Sequence, residues 1–506
     1  MPNTYPLIPL YTSHLIPHTH PMSTKQIASS TLWQVASQVT MAALSIVTVK
    51  LIALGLTKEL AGAYNTAYGF LQIFGILADF GLYAVAVREV SKAQGAERER
   101  IFGVLLTLRI LILCVSLGSA LVFAWIIPAW QGTPLPLGIT IAMLVPFFTL
   151  LAGMIRTVFQ VNYKMQYVFI AEVSQRILTV ILTAIFIIMG LRESADPFYY
   201  YLFLLFGGIG SVLLFLFSVF FGGRFLSIRP RWDGVLLKKC FMQALPYGLA
   251  YLCTALYRQS DVTLIGMLRP DFAIQNAYYG FVQRAMDMAY LFPTFLLNST
   301  LPILSERYGK GEDTRKLLGK TLHIILLLGT TLFLFSFLWS RPLMELLTND
   351  RYLSTMDHPG SDTALHLLAF SMFFNGILLF AFYSLLTRHH WKPLVITLFF
   401  GAIVSITSNI LLIPKLGFVG ACFTSILTHV TLAVLLLPQS YRSMPFTYSG
   451  KYILQWILYA VLLCAALLVL RPFLTSSILT ACGILVAGVW ILAIAWGSGI
   501  YKSIKN

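Results

Sequence analysis

The sequence predicts an all-α polytopic membrane protein of about fourteen transmembrane helices. Three observations carry this. Of 506 residues, 58% are hydrophobic and only 11% charged, with a mean hydropathy of +0.80, whereas soluble domains carry about a quarter charged residues. Apolar runs of roughly 18 residues or more recur along the whole chain, each long enough to cross a ~30 Å hydrocarbon core as a helix. The runs are continuous, whereas a barrel would need alternating segments of about ten residues. A backbone in lipid must satisfy its own hydrogen bonds, so helices are what remains.

In order, the runs place helices at 27–54, 60–87, 101–128, 136–158, 168–190, 198–222, 241–268, 276–304, 317–340, 363–387, 393–414, 418–438, 452–470 and 476–500. The polar stretches between them, chiefly 223–240, 305–320 and 341–362, are too short to bury a core of their own. Residues 1–22 form a Pro-rich tail with His14, His18 and His20, expected to be disordered and not a signal peptide, with Met1 and Met22 both open as the start.

The net charge of +16 reads as basic cytoplasmic loops, not as a nucleic-acid surface. Most lysines and arginines fall in alternate loops, including Arg88, Lys92, Arg98 and Arg100, then Arg224 to Lys239, then Arg307 to Lys320. By the positive-inside rule both termini are cytoplasmic, which also requires an even helix count. Cys114, Cys240, Cys253, Cys422, Cys464 and Cys482 lie in or beside apolar runs and show no metal-ligand or disulfide spacing. No P-loop, GxSxG, HExxH or dinucleotide fingerprint is present, so the expectation is a transporter, not an enzyme, with no cofactor. Its driving force would be an H+ or Na+ gradient, the membrane potential or the substrate's own gradient.

The chain repeats itself weakly. Tyr68-Gly69-Phe70-Leu71-Gln72 in the second helix matches Tyr279-Gly280-Phe281-Val282-Gln283 in the eighth. The two copies run in the same direction, so the repeat is parallel, with a pseudo-two-fold along the membrane normal. This divides the chain into an N-lobe (23–232), a C-lobe (233–440) and two added helices with the C-terminus (441–506).

Ionisable groups inside a span are expensive and usually face a cavity or a partner. Arg258 and Asp261 on the seventh helix share a layer with Arg284 and Asp287 on the eighth, roughly 10–17 Å below the outer boundary at 1.5 Å per residue. Each pair is spaced i, i+3 and can neutralise itself along its helix. The alternative is that the arginines face a cavity and engage an anion. A second layer in the N-lobe holds Asp79, Arg109 and Arg176, with Glu172 one turn before Arg176 as its expected partner. Asp79 with Arg109 reads as a structural or gating pair. Lys50 lies near the outer end of the first helix, where snorkelling would also explain it. His323 reads as structural, and Asn375 and Asn409 as interhelical hydrogen bonders. The candidate substrate-binding set is Arg258, Asp261, Arg284, Asp287, Lys50 and Arg176, around a polar and mildly cationic interior.

Several motifs resemble a known family. Lys25-Gln26-Ile27-Ala28 through Leu32-Trp33, Leu77-Ala78-Asp79-Phe80-Gly81-Leu82 and Val87-Arg88-Glu89-Val90-Ser91-Lys92 look like O-antigen-type polysaccharide flippases. So do Tyr257-Arg258-Gln259-Ser260-Asp261-Val262, Tyr278-Tyr279-Gly280, Leu301-Pro302-Ile303-Leu304-Ser305 and Pro414-Lys415-Leu416-Gly417-Phe418-Val419-Gly420-Ala421. The resemblance spans about 23–440 and implies a member of the multidrug/oligosaccharidyl-lipid/polysaccharide (MOP) exporter superfamily. Such a protein would move an undecaprenyl-pyrophosphate-linked oligosaccharide across the membrane by alternating access of a central cavity. It would work beside membrane lipids, with a polysaccharide polymerase and chain-length proteins as partners. Three alternatives stay open: a peptidoglycan lipid-precursor flippase, a drug/cation antiporter of the same superfamily, and a membrane polymerase of lipid-linked sugars. The last would need catalytic acids in the 341–362 loop, such as Glu345, Asp350, Asp357 and Asp362.

Overall fold

The computed structural model describes residues 24–497 apart from His389; the tail with His14, His18 and His20 lies outside the described residues. The described residues form eighteen α-helices. They begin with α1 (Thr24–Gly55), α2 (Lys58–Asp79), α3 (Leu82–Lys92), α4 (Gly95–Ile126), α5 (Leu135–Ala142) and α6 (Leu144–Val161). Next come α7 (Met165–Ile188), α8 (Pro197–Gly222), α9 (Gly234–Leu268), α10 (Phe272–Ala289), α11 (Leu291–Gly309) and α12 (Arg315–Leu338). The last are α13 (Ser340–Leu347), α14 (Ser361–Thr387), α15 (Trp391–Leu416), α16 (Phe418–Ser443), α17 (Gly450–Leu470) and α18 (Ser477–Gly497). Among the described residues the β-structure is confined to an isolated bridge, Leu56 to Ser194, which ties two loops together.

Among the described residues, thirteen helical segments are long and apolar enough to cross a membrane. Every predicted window coincides with one of them except 241–268, which is α9. That helix is 35 residues long, but Gln259, Ser260, Asp261 and Thr263 are buried within it. Its polarity is turned inward, so composition alone undercounts it.

Helix starts follow local chemistry. Thr57 accepts from Leu60 N–H, Asp196 from Phe198 N–H ahead of Pro197, and Asp233 from Leu236 N–H. Each satisfies one of the orphan donors at a helix N-terminus. Three predicted single helices are broken. The fourth (136–158) splits into α5 and α6 at Met143. The second splits into α2 and α3 at Phe80 and Gly81, both left-handed (φ 45° and 69°). Gly81 tolerates this without cost. Phe80 is held by a stack on Phe241, ring centroids 5.4 Å apart. Gly248 makes room for that ring, since a Cβ there would lie 2.6 Å from it. The eighth splits into α10 and α11 at Tyr290. The two copies of Tyr-Gly-Phe thus sit in helices that both break shortly downstream, so the repeat extends from sequence into backbone form.

The chain forms two compact units: one holds the described residues up to Phe281 with Asn409–Phe418, the other Val282–Ser408 with Val419 onward. In the first, α2 packs closely on α9. Gly69 permits this, because a Cβ would lie 2.6 Å from Val262. Buried amides lock the contact: Asn276 donates to Thr66 Oγ1 (2.8 Å) and to Val262 O (2.9 Å), and Asn65 donates to Asn276 O (3.2 Å). The linker before α9 is strapped to α4 by Arg100 to Asp233 (2.6 Å) and Arg231 to Glu99 (3.3 Å). In the second unit, α17 and α18 dock on α12 and α13. Trp339 donates to Leu467 O at 2.9 Å and Trp456 to Thr330 at 2.8 Å.

Candidate functional site

The first unit contains a polar pocket of about 420 Å³ lined by Gln34, Asp79, Tyr83, Arg109, Gly153, Arg156 and Gln160. Five helices contribute: α1, α2, α3, α4 and α6. On α6 the lining residues are spaced i, i+3 and i+7, which places them on one helix face.

The charges in and behind the pocket are paired. Arg109 is 1% exposed and donates to Asp79 Oδ1 at 2.7 Å and to Ala78 O at 3.0 Å. Asp79 is 35% exposed, so its second oxygen opens to the pocket. Arg156 meets Glu172 Oε1 at 3.0 Å, and Ser37 donates to Glu172 Oε2. Tyr83 donates to Gln160 Oε1. Glu172 is therefore held across a helix pair by Arg156, a partner the sequence did not indicate. Arg156 was missed because it lies two residues from the end of the predicted window 136–158, where it counted as an interfacial cation. Gln34 and Gln160 were missed because uncharged amides give no charge signal. The i, i+3, i+7 spacing of Gly153, Arg156 and Gln160 was the available clue.

The other predicted residues are placed as follows. Asp261 is 2% exposed, with Tyr279 donating to Oδ2 at 2.5 Å and Asn409 to Oδ1 at 2.7 Å. Both its oxygens thus accept from neutral donors on α10 and α15, partners beyond the i, i+3 arginine of its own helix. Arg258 is half-buried on α9 in the first unit. Arg284 and Asp287 are half-buried on the part of α10 that belongs to the second unit. Lys50 and Arg176 are half-buried on α1 and α7. His323 is buried on α12, 3.1 Å from Tyr448 Oη and stacked on Tyr452 at 4.7 Å. Asn375 is buried, and neither its amide nitrogen nor its carbonyl oxygen has a partner among the described residues.

In the loop before α14, Asp362 accepts from Ser354 N–H (2.6 Å) and Ser354 Oγ (2.5 Å). Arg341 adds an ion pair at 3.8 Å. That acid staples the loop. Between α9 and α10, Arg269 holds the Asp271 carboxyl below its ordinary range through paired hydrogen bonds of 2.7 and 2.9 Å. Among the described residues, no group of three or more His, Cys, Asp or Glu is arranged to hold a metal ion.

The described residues thus combine helices long and apolar enough to cross a membrane with paired charges lining a polar pocket. A family profile described as "Polysaccharide biosynthesis protein" matches residues 27–306, and a second, "MatE", matches 246–411. The first covers more than half of the chain, which therefore belongs to the polysaccharide biosynthesis protein family. No curated protein matches the chain by sequence. Among solved structures the fold is similar to "Lipid II flippase MurJ, inward closed conformation", with a TM-score of 0.70 and 15% identity, covering 95% of this chain and 100% of that one. It is also similar to a multidrug resistance MATE family transporter of the MOP superfamily in its inward-facing conformation, at 0.61 and 13%, covering 85% and 96%. A third is the MATE multidrug transporter DinF-BH, at 0.58 and 17%, covering 83% and 95%. The chain is thus a multi-pass membrane protein of the polysaccharide biosynthesis protein family whose fold is shared with a lipid II flippase and with multidrug transporters of the MOP superfamily.

Proposed function

We propose that the protein is a flippase that moves an undecaprenyl-pyrophosphate-linked oligosaccharide across the bacterial cytoplasmic membrane for surface polysaccharide synthesis, O-antigen being the expected product. Alternating access of a polar cavity moves the head group while the prenyl tail stays in lipid. Both termini are cytoplasmic, and an H+ or Na+ gradient is the proposed driving force. Membrane lipids surround it, and a polymerase and a chain-length protein act on the exported unit.

The observation that carries this reading is the polar pocket lined by residues of four candidate membrane spans in a member of the polysaccharide biosynthesis family. A bundle in lipid tolerates such groups where a polar ligand repays them. Lys50, Arg176, Arg258 and Arg284 are the cations proposed to meet the diphosphate. Asp287 modulates the last of these, and Asp261 positions α9 through Tyr279 and Asn409. The acids of the N-lobe are matched by Arg109 and Arg156. That balance speaks against a cation antiporter, which needs uncompensated carboxylates. The structural role of Asp362 speaks against a polymerase built on that loop.

The likeness in fold to the lipid II flippase keeps one second reading, transport of a peptidoglycan lipid precursor. Competition separates the two. In proteoliposomes, unlabelled lipid-linked oligosaccharide should suppress movement of its fluorescent analogue far more than the peptidoglycan precursor does. The reverse order would replace the first reading by the second.

A further inference from the structure

The pocket of the first unit differs from an anion site in its hydrogen-bonding inventory. Asp79, Glu172, Arg109 and Arg156 sum to zero formal charge, and Arg109 is spent on Asp79 and Ala78. What remains for a ligand is mixed. Asp79 Oδ2 is an acceptor with no partner among the described residues. The Gln160 amide nitrogen donates, because its oxygen is taken by Tyr83. The Gln34 amide offers both kinds and is half-buried. Arg156 keeps N–H groups beyond the one on Glu172, including a buried Nε without a partner.

A phosphate only accepts, and Asp79 would repel it. A sugar hydroxyl donates one hydrogen bond and accepts two, so it pairs with carboxylate, amide and guanidinium alike. The volume of about 420 Å³ falls within the ~300–1,000 Å³ of small-molecule sites. The floor is open at Gly153, where an added Cβ would meet nothing within 4 Å.

We infer that this pocket is a glycan subsite: it binds a neutral sugar unit of the lipid-linked substrate, while the diphosphate is met elsewhere. The inference rests on the flippase reading and adds the substrate group that the N-lobe recognises. Selectivity for the oligosaccharide over shorter head groups follows. A site whose buried polar groups are left unpaired rejects the ligand lacking the hydroxyls.

The test measures initial transfer rates in proteoliposomes for undecaprenyl diphosphate carrying an oligosaccharide and carrying a single sugar. The wild type is compared with Gln34→Leu, Gln160→Leu and Gly153→Leu, the last adding bulk to the pocket while every polar lining residue is kept. The ratio of the oligosaccharide rate to the single-sugar rate should fall about tenfold in each variant, the worth of roughly one hydrogen bond. An unchanged ratio overturns the inference, whether both rates fall together, as for a phosphate site, or neither does. The glutamine variants keep the test valid if the leucine at 153 prevents folding. A wild type that moves neither lipid refutes the transport reading itself.

Discussion

Removing either half of the Asp79–Arg109 pair has unequal consequences, and the inequality follows from burial. Arg109 is 1% exposed, whereas Asp79 is 35% exposed at its side chain. In Asp79→Ala the guanidinium stays buried with Ala78 O as its remaining partner. Breaking a buried pair in this way costs about 3–5 kcal/mol. In Arg109→Met two hydrogen bonds are lost, but water reaches the surviving carboxylate, so the cost is about 1–2 kcal/mol. The double variant carries no stranded charge and resembles Arg109→Met. A thiol-reactive fluorophore provides the assay in detergent. Cys240, Cys253 and Cys422 are buried and label on unfolding, over a baseline from exposed Cys114 and Cys482. Asp79→Ala should melt lowest, with Arg109→Met and the double variant close together above it. If Arg109→Met melts at or below Asp79→Ala, the burial argument is wrong.

Other consequences can be checked the same way. Gly62→Ala would place a Cβ 1.6 Å from Ala273 O, a backbone atom that cannot swing aside; overpacking costs at least ~1–3 kcal/mol, and recovery of folded protein by size-exclusion chromatography should fall sharply. Asp271 has a lowered pKa, first through its hydrogen bond from Arg269. Its stabilisation is therefore present above the unfolded value near ~3.9 and is lost as pH falls through the folded value. Asp271→Asn should melt below wild type at pH 7, and the gap should close in acid. Asp362→Ala should release the Ser354 contacts, seen as faster proteolysis of the loop before α14 with transport retained.

Much of the fold was legible because lipid imposes a simple rule: span length and continuity appear directly in hydropathy. Depth counting set Asp79 and Arg109 in one layer, and they meet at 2.7 Å. Less legible was anything decided by helix rotation. Asp261 takes hydrogen bonds from Tyr279 and Asn409 on other helices, which no spacing along its own helix reveals. Helix breaks were also hidden, since Phe80 and Tyr290 carry no proline signal; the first depends on a stack with Phe241. Arg156 escaped notice because charge near a span end is normally interfacial, and its role depends on Glu172 from the next helix.

The central claim is that the protein carries a lipid-linked oligosaccharide between leaflets. The most direct measurement follows a fluorescent undecaprenyl-pyrophosphate oligosaccharide, confined to the inner leaflet of proteoliposomes, as it becomes open to an external glycosidase. The account predicts protein-dependent exposure that Arg258→Ala with Arg284→Ala abolishes while the melting temperature is kept. Exposure no faster than in protein-free liposomes, from a sample correctly folded by the thiol assay, would contradict it.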